Sequence, residues 1–171
     1  MPDPDPTSTP PAIARVVAAA RAASLEIDVR RHPAGARTAD DAARAIGCDV
    51  AQIVKSLVFV ADGAPVMALV AGSNRLDATL LAAACAATQV RRADADEVRD
   101  ATGYAIGGVP PFGHASELRV LVDRDLVAFE TVYAAAGLPD ATFGITPADL
   151  LRASGGTVAD VAERPAGGVS A

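Results

Sequence analysis

At 171 residues the chain suits one domain, large enough to bury a core without metal or disulfide staples. Apolar residues make up 51% of it, aromatic ones only 4%, and Trp is absent, so that core has to be built mostly from Ala, Val, Leu and Ile. The formal charge of −6 makes the surface as a whole repel polyanions, which argues against tight, sequence-independent binding to nucleic acid by counterion release and against DNA as a partner.

Residues 1–11 are rich in Pro, Asp and Thr and read as a disordered lead; residues 163–171 read as a disordered tail, leaving a single domain over 12–162. The lead has neither the basic flank nor the apolar stretch of a signal peptide, and no apolar run reaches the length of a membrane span, so a soluble cytoplasmic protein without a membrane partner is expected. Cys48 and Cys85 stand far apart, and with His32 and His114 they form no metal-ligand spacing; neither a metal nor another cofactor is expected.

In chain order, Ile13, Val16, Val17 and Ala20 recur at helical spacing and predict a helix over 12–24. A short strand follows in "EIDVRR". Thr38 caps a helix that ends at Gly47, and Asp49 with Gln52 has the spacing of a capping box for one further turn. The stretch "KSLVFVADGAPVMALVAG" reads as a hairpin, with Asp62-Gly63 as its tight turn. Asp77 opens an alanine-rich helix to about residue 86, and "TQVRRA" is a short strand. Asp94 and Glu97 cap the helix "ADEVRDAT", which Gly103 closes. "YAIGGV" is expected as a strand leading into the constrained loop "PPFG", and "LRVLVD" as another. Residues 126–136 are ambiguous between helix and strand. "ATFGI" is a late strand, Thr146-Pro147 starts a helix over 147–154, and "TVADV" supplies a last edge strand. Interleaved helices and strands with tight hairpins predict an α+β fold: a mixed, mainly antiparallel sheet surrounded by helices.

Two features carry chemistry. Of the 15 basic side chains fourteen are arginines, so Lys55 is the lone lysine. It shares a strand face with Leu57 and Phe59, where it either snorkels to water from the strand mouth or turns its ammonium into a pocket. A compact, rotatable point charge is not interchangeable with a planar fork at a site. The second feature is "TGYAIGGVPPFG": Gly107 and Gly108 form either a simple bulge or a place where a ligand meets backbone, held rigid by Pro110 and Pro111. Donors for a developing oxyanion would have to come from Gly107, Gly108, Val109 or residues beyond the prolines. The arginine clusters at Arg30, Arg31, Arg37 and Arg44 and at Arg91 and Arg92 are either solvated charge or phosphate contacts.

Taken in order, "IVKSLVF", "GSNRLD", "TGYAIGGVPPFG" and "LVDRDL" resemble the YbaK/ProX family of aminoacyl-tRNA deacylases, whose domain also occurs as the editing insert of bacterial prolyl-tRNA synthetases. The resemblance spans residues 25–161. It implies hydrolysis of the ester of a misacylated tRNA bound by its acceptor end, with an aminoacyl-tRNA synthetase as a further partner. Lys55 and Gly107 would be the catalytic-site residues, and His32, Ser56, Gly108, Val109, Pro110, Pro111, Phe112 and Ala135 would surround the substrate. His32 in "RRHP" matches a histidine or tyrosine of the family, although a histidine before proline is equally a strand-end surface residue. Members close to the cysteinyl-prolyl-tRNA deacylases carry a serine where this chain has Ala135 and a basic run that it lacks, which points to a preference for a small apolar acyl group such as alanyl over one recognised by hydrogen bonding, such as cysteinyl. With no Ser-His-Asp order, the resemblance implies water attack assisted by the vicinal ribose hydroxyl. The rival reading is a non-catalytic module of the same fold that binds aminoacyl-adenosine or a nucleotide, or serves as a synthetase partner.

Overall fold

The computed structural model describes residues 7–32 and 38–164. Helix α1 (Pro11–Ala22) starts with a proline in its first turn and buries Ile13, Val16 and Ala20, the face the spacing predicts. Strand β1 covers only Val29–Arg31 of the expected strand. Helix α2 (Ala39–Ile46) begins at a capping box in which the Thr38 hydroxyl accepts from Asp41 N–H and the Asp41 carboxylate accepts from Thr38 N–H; it ends at Gly47, φ +84°. Such a cap is worth about 1 kcal/mol. A single 3-10 turn (Val50–Gln52), closed by the Asp49 and Gln52 box, then delivers the chain to the sheet.

Strands β2 (Val54–Ala61) and β3 (Ala64–Ala71) form the hairpin, with Asp62 (φ +47°) and Gly63 (φ +83°) in the left-handed region that a tight turn requires. Asp62 has a second task. Its carboxylate accepts from Thr88 N–H and Gln89 N–H, which holds its pKa below the usual range and brings β4 (Val90–Arg92) against β2. Helix α3 (Ala78–Cys85) and helix α4 (Ala95–Thr102) start at the Asp77 and Asp94 caps. Strand β5 (Arg119–Asp123) leads into a 3-10 turn (Arg124–Ala128), followed by β6 (Val132–Ala135), β7 (Ala141–Ile145), α5 (Pro147–Ser154) and β8 (Thr157–Ala159). Within the ambiguous stretch 126–136, residues 126–128 belong to the 3-10 turn and 132–135 to β6.

The strands divide into two sheets rather than one. A five-stranded sheet has the order β4-β2-β3-β5-β8, antiparallel through β4, β2 and β3 and parallel from β3 through β5 to β8; a three-stranded antiparallel sheet has the order β1-β7-β6. The fold is α+β and mixed, as expected, and β8 is an edge strand. A large apolar cluster, including Val54, Val58, Met67, Leu69 and Phe143, fills the space between α1, the small sheet and one face of the large one; a second, with Phe59, Val70 and Leu81, lies under α3 on the other face.

The expected strand 104–109 is not a strand. Gly108 N–H donates back to Ala105 O (3.0 Å), Gly107 takes φ +92°, and Pro110 and Pro111 have no N–H to extend a ladder, so the segment folds into a turn. At the far end Glu163 N–H donates to Arg75 O (2.7 Å) and Arg164 pairs with Asp125 (3.0 Å), so the fold reaches past residue 162. The expected disorder at 1–6 and 165–171 lies outside the described residues.

Candidate active site

A gap beside β2 creates the site. β4 pairs with β2 only at Phe59, Val60 and Ala61, while the small sheet reaches β2 through an isolated parallel bridge, Ile53 to Tyr133. Ala93 N–H donates to Val58 O (3.1 Å), so Val58 turns its backbone polar groups away from β3, and by strand alternation Val54 and Ser56 do the same. Between the two contacts this edge has no hydrogen-bonded strand partner among the described residues. A cavity of about 340 Å³ opens there.

Lys55, Ser56, Gly107, Val109 and Ala135 all line this cavity. Lys55 is half-buried, and its ammonium donates to the main-chain carbonyl of Asn74. Burial pushes its pKa down; the carboxylate of Asp123 opposes this, and Arg92 and Arg75 add to it. Of the two fates expected for a lysine on this face, neither is met in full: the side chain lines the cavity, and its ammonium is held by the Asn74 carbonyl. Ser56 presents a buried hydroxyl that has no hydrogen-bond partner among the described residues, a costly arrangement unless something entering the cavity supplies one.

The glycine loop forms the opposite wall, and its two glycines do different things. Gly107 is exposed, lines the cavity and needs φ +92°; a Cβ there would sit 3.5 Å from Pro139 Cγ, an ordinary contact. Gly108 is buried behind it, where a Cβ would lie 2.7 Å from Gly137 O and 2.9 Å from Leu138 Cα. Its N–H is used by Ala105 O, which leaves Gly107 and Val109, both lining the cavity, as the loop's candidate donors. Pro110, Pro111 and Phe112 are buried as the backing of this wall; Phe112 meets Phe143 edge-on, with ring centroids 5.7 Å apart. His114 Nε2 lies 2.7 Å from Pro110 O, and burial lowers the His114 pKa, which keeps a neutral ring as the donor that pins the loop.

His32 stands one layer out. Its Nε2 is 2.6 Å from Thr142 Oγ1, and Thr142 lines the cavity. Tyr133, Thr142 and the exposed Ile106 join the lining without having been singled out from the sequence. Thr142 follows an alanine in a strand and Tyr133 sits in the ambiguous stretch, so neither carries a local signal. The two arginines of "VRR" separate. Arg91 is bound to Glu97 (2.7 and 2.9 Å), which holds that carboxyl at about 2, whereas Arg92 lines the cavity without a carboxylate partner among the described residues. Burial raises the pKa of both Cys48 and Cys85, which suits packing rather than nucleophilic attack. Among the described residues there is no cluster of His, Cys, Asp or Glu able to hold a metal and no helix long and apolar enough to cross a membrane.

Sequence and structure comparisons point the same way. The profile of the aminoacyl-tRNA editing domain matches residues 33–153. The chain belongs to that family. The editing domain is 33% identical over 125 residues to the uncharacterized protein YwhH of Bacillus subtilis, covering 73% of this chain and 80% of that one. It is 32% identical over 106 residues to a proline–tRNA ligase of Citrifermentans bemidjiense, covering 62% of this chain but only 18% of the ligase. Among solved structures, a candidate trans-editing enzyme for prolyl-tRNA synthetase superposes with a TM-score of 0.88 at 43% identity, over 92% of this chain and all of the other.

Proposed function

We propose that this editing domain is a deacylase acting in trans on misacylated tRNA, with tRNA(Pro) carrying alanine or cysteine as substrate. The observation that carries the reading is that the lone lysine and the positive-φ glycine, distant in the chain, line one cavity whose size suits a small ligand. Lys55 and Gly107 are the catalytic-site residues in this reading. A water oxygen adds to the ester carbonyl and its proton is relayed by the vicinal ribose hydroxyl. The ester C–O bond then breaks to release the amino acid and a terminal hydroxyl. The Lys55 ammonium orients the ester end of the substrate. Gly107 and Val109 N–H, on a wall stiffened by the prolines, stabilise the oxyanion.

Selectivity rests on the lining. Ala134, Ala135, Val54 and Val58 leave room for a small acyl side chain. A pocket of this kind separates one methylene by only about 1–3 kcal/mol, which is why a synthetase that admits a smaller amino acid needs a second site to remove it. Ser56, with its unused hydroxyl, is a hydrogen-bond partner for the substrate, and His32 supports the wall through Thr142. Arg92 at the cavity meets a phosphate of the acceptor end, and a synthetase delivers the tRNA.

The test is hydrolysis of Ala-tRNA(Pro) and Cys-tRNA(Pro) by purified protein under single-turnover conditions. Enzyme-dependent release of the amino acid from at least one is expected. Binding of the charged tRNA without release would overturn the deacylase reading in favour of the non-catalytic module.

A further inference from the structure

We infer that Asp123 is a positioning residue: a buried counter-charge that sets the place of the Lys55 ammonium through Asn74. The inference rests on the role proposed for Lys55 but is carried by a separate set of contacts. Asp123 ends β5 and is fully buried. It makes no ion pair with a basic side chain among the described residues; its oxygens accept only from neutral donors, Ala71 N–H (3.0 Å), Asn74 Nδ2 (2.8 Å) and Asp125 N–H (3.0 Å). A buried carboxylate is expensive unless paired or well hydrogen-bonded. Capping a 3-10 turn does not require a charge there, because Asn or Ser caps as well.

The charge is explained by what lies beyond Asn74. The Asn74 side-chain amide is clamped between two carboxylates, Asp123 Oδ2 (2.8 Å) and Asp125 Oδ2 (2.7 Å). That clamp fixes the residue whose main-chain carbonyl receives the Lys55 ammonium. Arg164 pairs directly with Asp125 at 3.0 Å and feels Asp123 only from farther off, leaving Asp123 as a buried negative charge without an ion pair of its own behind the junction.

The charged groups acting on Lys55 come from three elements. Arg92 on β4 and Arg75 after β3 repel its proton, burial disfavours the charge, and of the charged groups Asp123 is the one that favours it. The sides that α2 and the glycine loop turn to the cavity bring no charged group: Thr38, Ala39 and Ala42 from the one, Ile106, Gly107 and Val109 from the other. Tyr133 and Thr142, with His32 behind, close the small-sheet side. Without the Asp123 charge, the Asn74 carbonyl would be the one favourable contact left to the ammonium.

Because Lys55 is the single lysine, reductive methylation with carbon-13 formaldehyde yields one ε-dimethylamine resonance, distinct from the α-amine, whose pH titration reads this group without any substrate. Asp123→Asn should move the titration midpoint to lower pH than in the wild type, and the alkaline limb of the single-turnover pH profile should move the same way. A merely structural role would lower the melting temperature and leave both midpoints in place, and that result, in a folded variant, overturns the inference. Should Asp123→Asn fail to fold, Asn74→Ala is the second variant. In a folded variant it should cut the single-turnover rate roughly five- to ten-fold, the equivalent of one lost hydrogen bond, together with a lower melting temperature because buried Asp123 loses a donor. An unchanged rate overturns the relay. The two failures are distinguishable: a wild type that hydrolyses nothing counts against the proposed function, while the amine titration still decides the role of Asp123.

Discussion

The two walls of the cavity are built on opposite principles. The β2 wall contributes a charged side chain, Lys55, whose position depends on a hydrogen-bonded junction elsewhere in the fold. The loop wall contributes backbone: Gly107 supplies an open surface and Gly108 supplies close packing against Gly137. A side chain can be deleted without disturbing the strand that bears it, whereas a backbone wall cannot be altered without moving the chain. Function and stability should therefore separate on one wall and stay coupled on the other.

The largest expected effect tests the first half of that contrast. Lys55→Ala should melt near the wild-type temperature yet lose about 10²–10³ in single-turnover rate, the usual consequence of removing one electrostatic anchor. Lys55→Arg should not restore it, because a planar fork does not fill the place of a point charge. A folded Lys55→Ala with near wild-type rate would reduce Lys55 to a strand residue that happens to face the cavity.

On the loop wall, Gly108→Ala should lose stability as well as rate. Its methyl would fall within 3 Å of the backbone of Gly137 and Leu138, neither of which can swing aside, and overpacking of this kind costs about 1–3 kcal/mol. Chemical denaturation measures it. Gly107→Ala meets no such contact, but the backbone there has φ +92°, which a side chain tolerates poorly, so the turn should shift and turnover should fall with a smaller loss of stability. If Gly107→Ala were the less stable of the two, the division of labour between the glycines would be reversed.

Smaller effects sharpen the electrostatic side of the comparison. Arg92→Ala should reduce the salt slope of tRNA binding by about 0.7, the value of one single-strand phosphate contact, while Arg91→Ala should leave it almost unchanged because that guanidinium is held by Glu97. Filter binding across a salt series distinguishes them. The smallest change expected is from Ala135→Ser, which adds a hydroxyl to the lining and should raise cysteinyl relative to alanyl deacylation by a few-fold, about the worth of one hydrogen bond. Equal rates for both substrates in both proteins would remove Ala135 from the specificity argument.

Much of the fold was legible because its signals are local. The caps at Thr38, Asp49, Asp77, Asp94 and Thr146 each bond a backbone N–H two or three residues on, and the hairpin turn is settled by Asp62-Gly63, so neighbouring residues suffice to read them. The stretch 104–109 misled because Tyr104, Ile106 and Val109 look like strand material, whereas the Gly108 to Ala105 hydrogen bond and the two prolines make a turn of it.

Residue identity alone marks what is chemically distinctive: one lysine among fourteen arginines, and two adjacent glycines shortly before two prolines. Tertiary structure decided what each of them faces. Lys55 turns toward a cavity because β4 and β6 leave the edge of β2 uncovered between Ile53 and Phe59. Gly107 and Gly108 part company in what surrounds them: Gly107 takes φ +92° with only ordinary contacts to Pro139, and Gly108 packs against the turn at Gly137. Asn74 and Asp123 lie in "GSNRLD" and "LVDRDL", stretches that carry the family resemblance, but they become the support of the lysine only because folding brings β3's end and β5's end side by side. Hydrogen bonds within a turn are fixed by the spacing of adjacent residues, but a pairing between segments some fifty residues apart exists only once the sheet that joins them has formed.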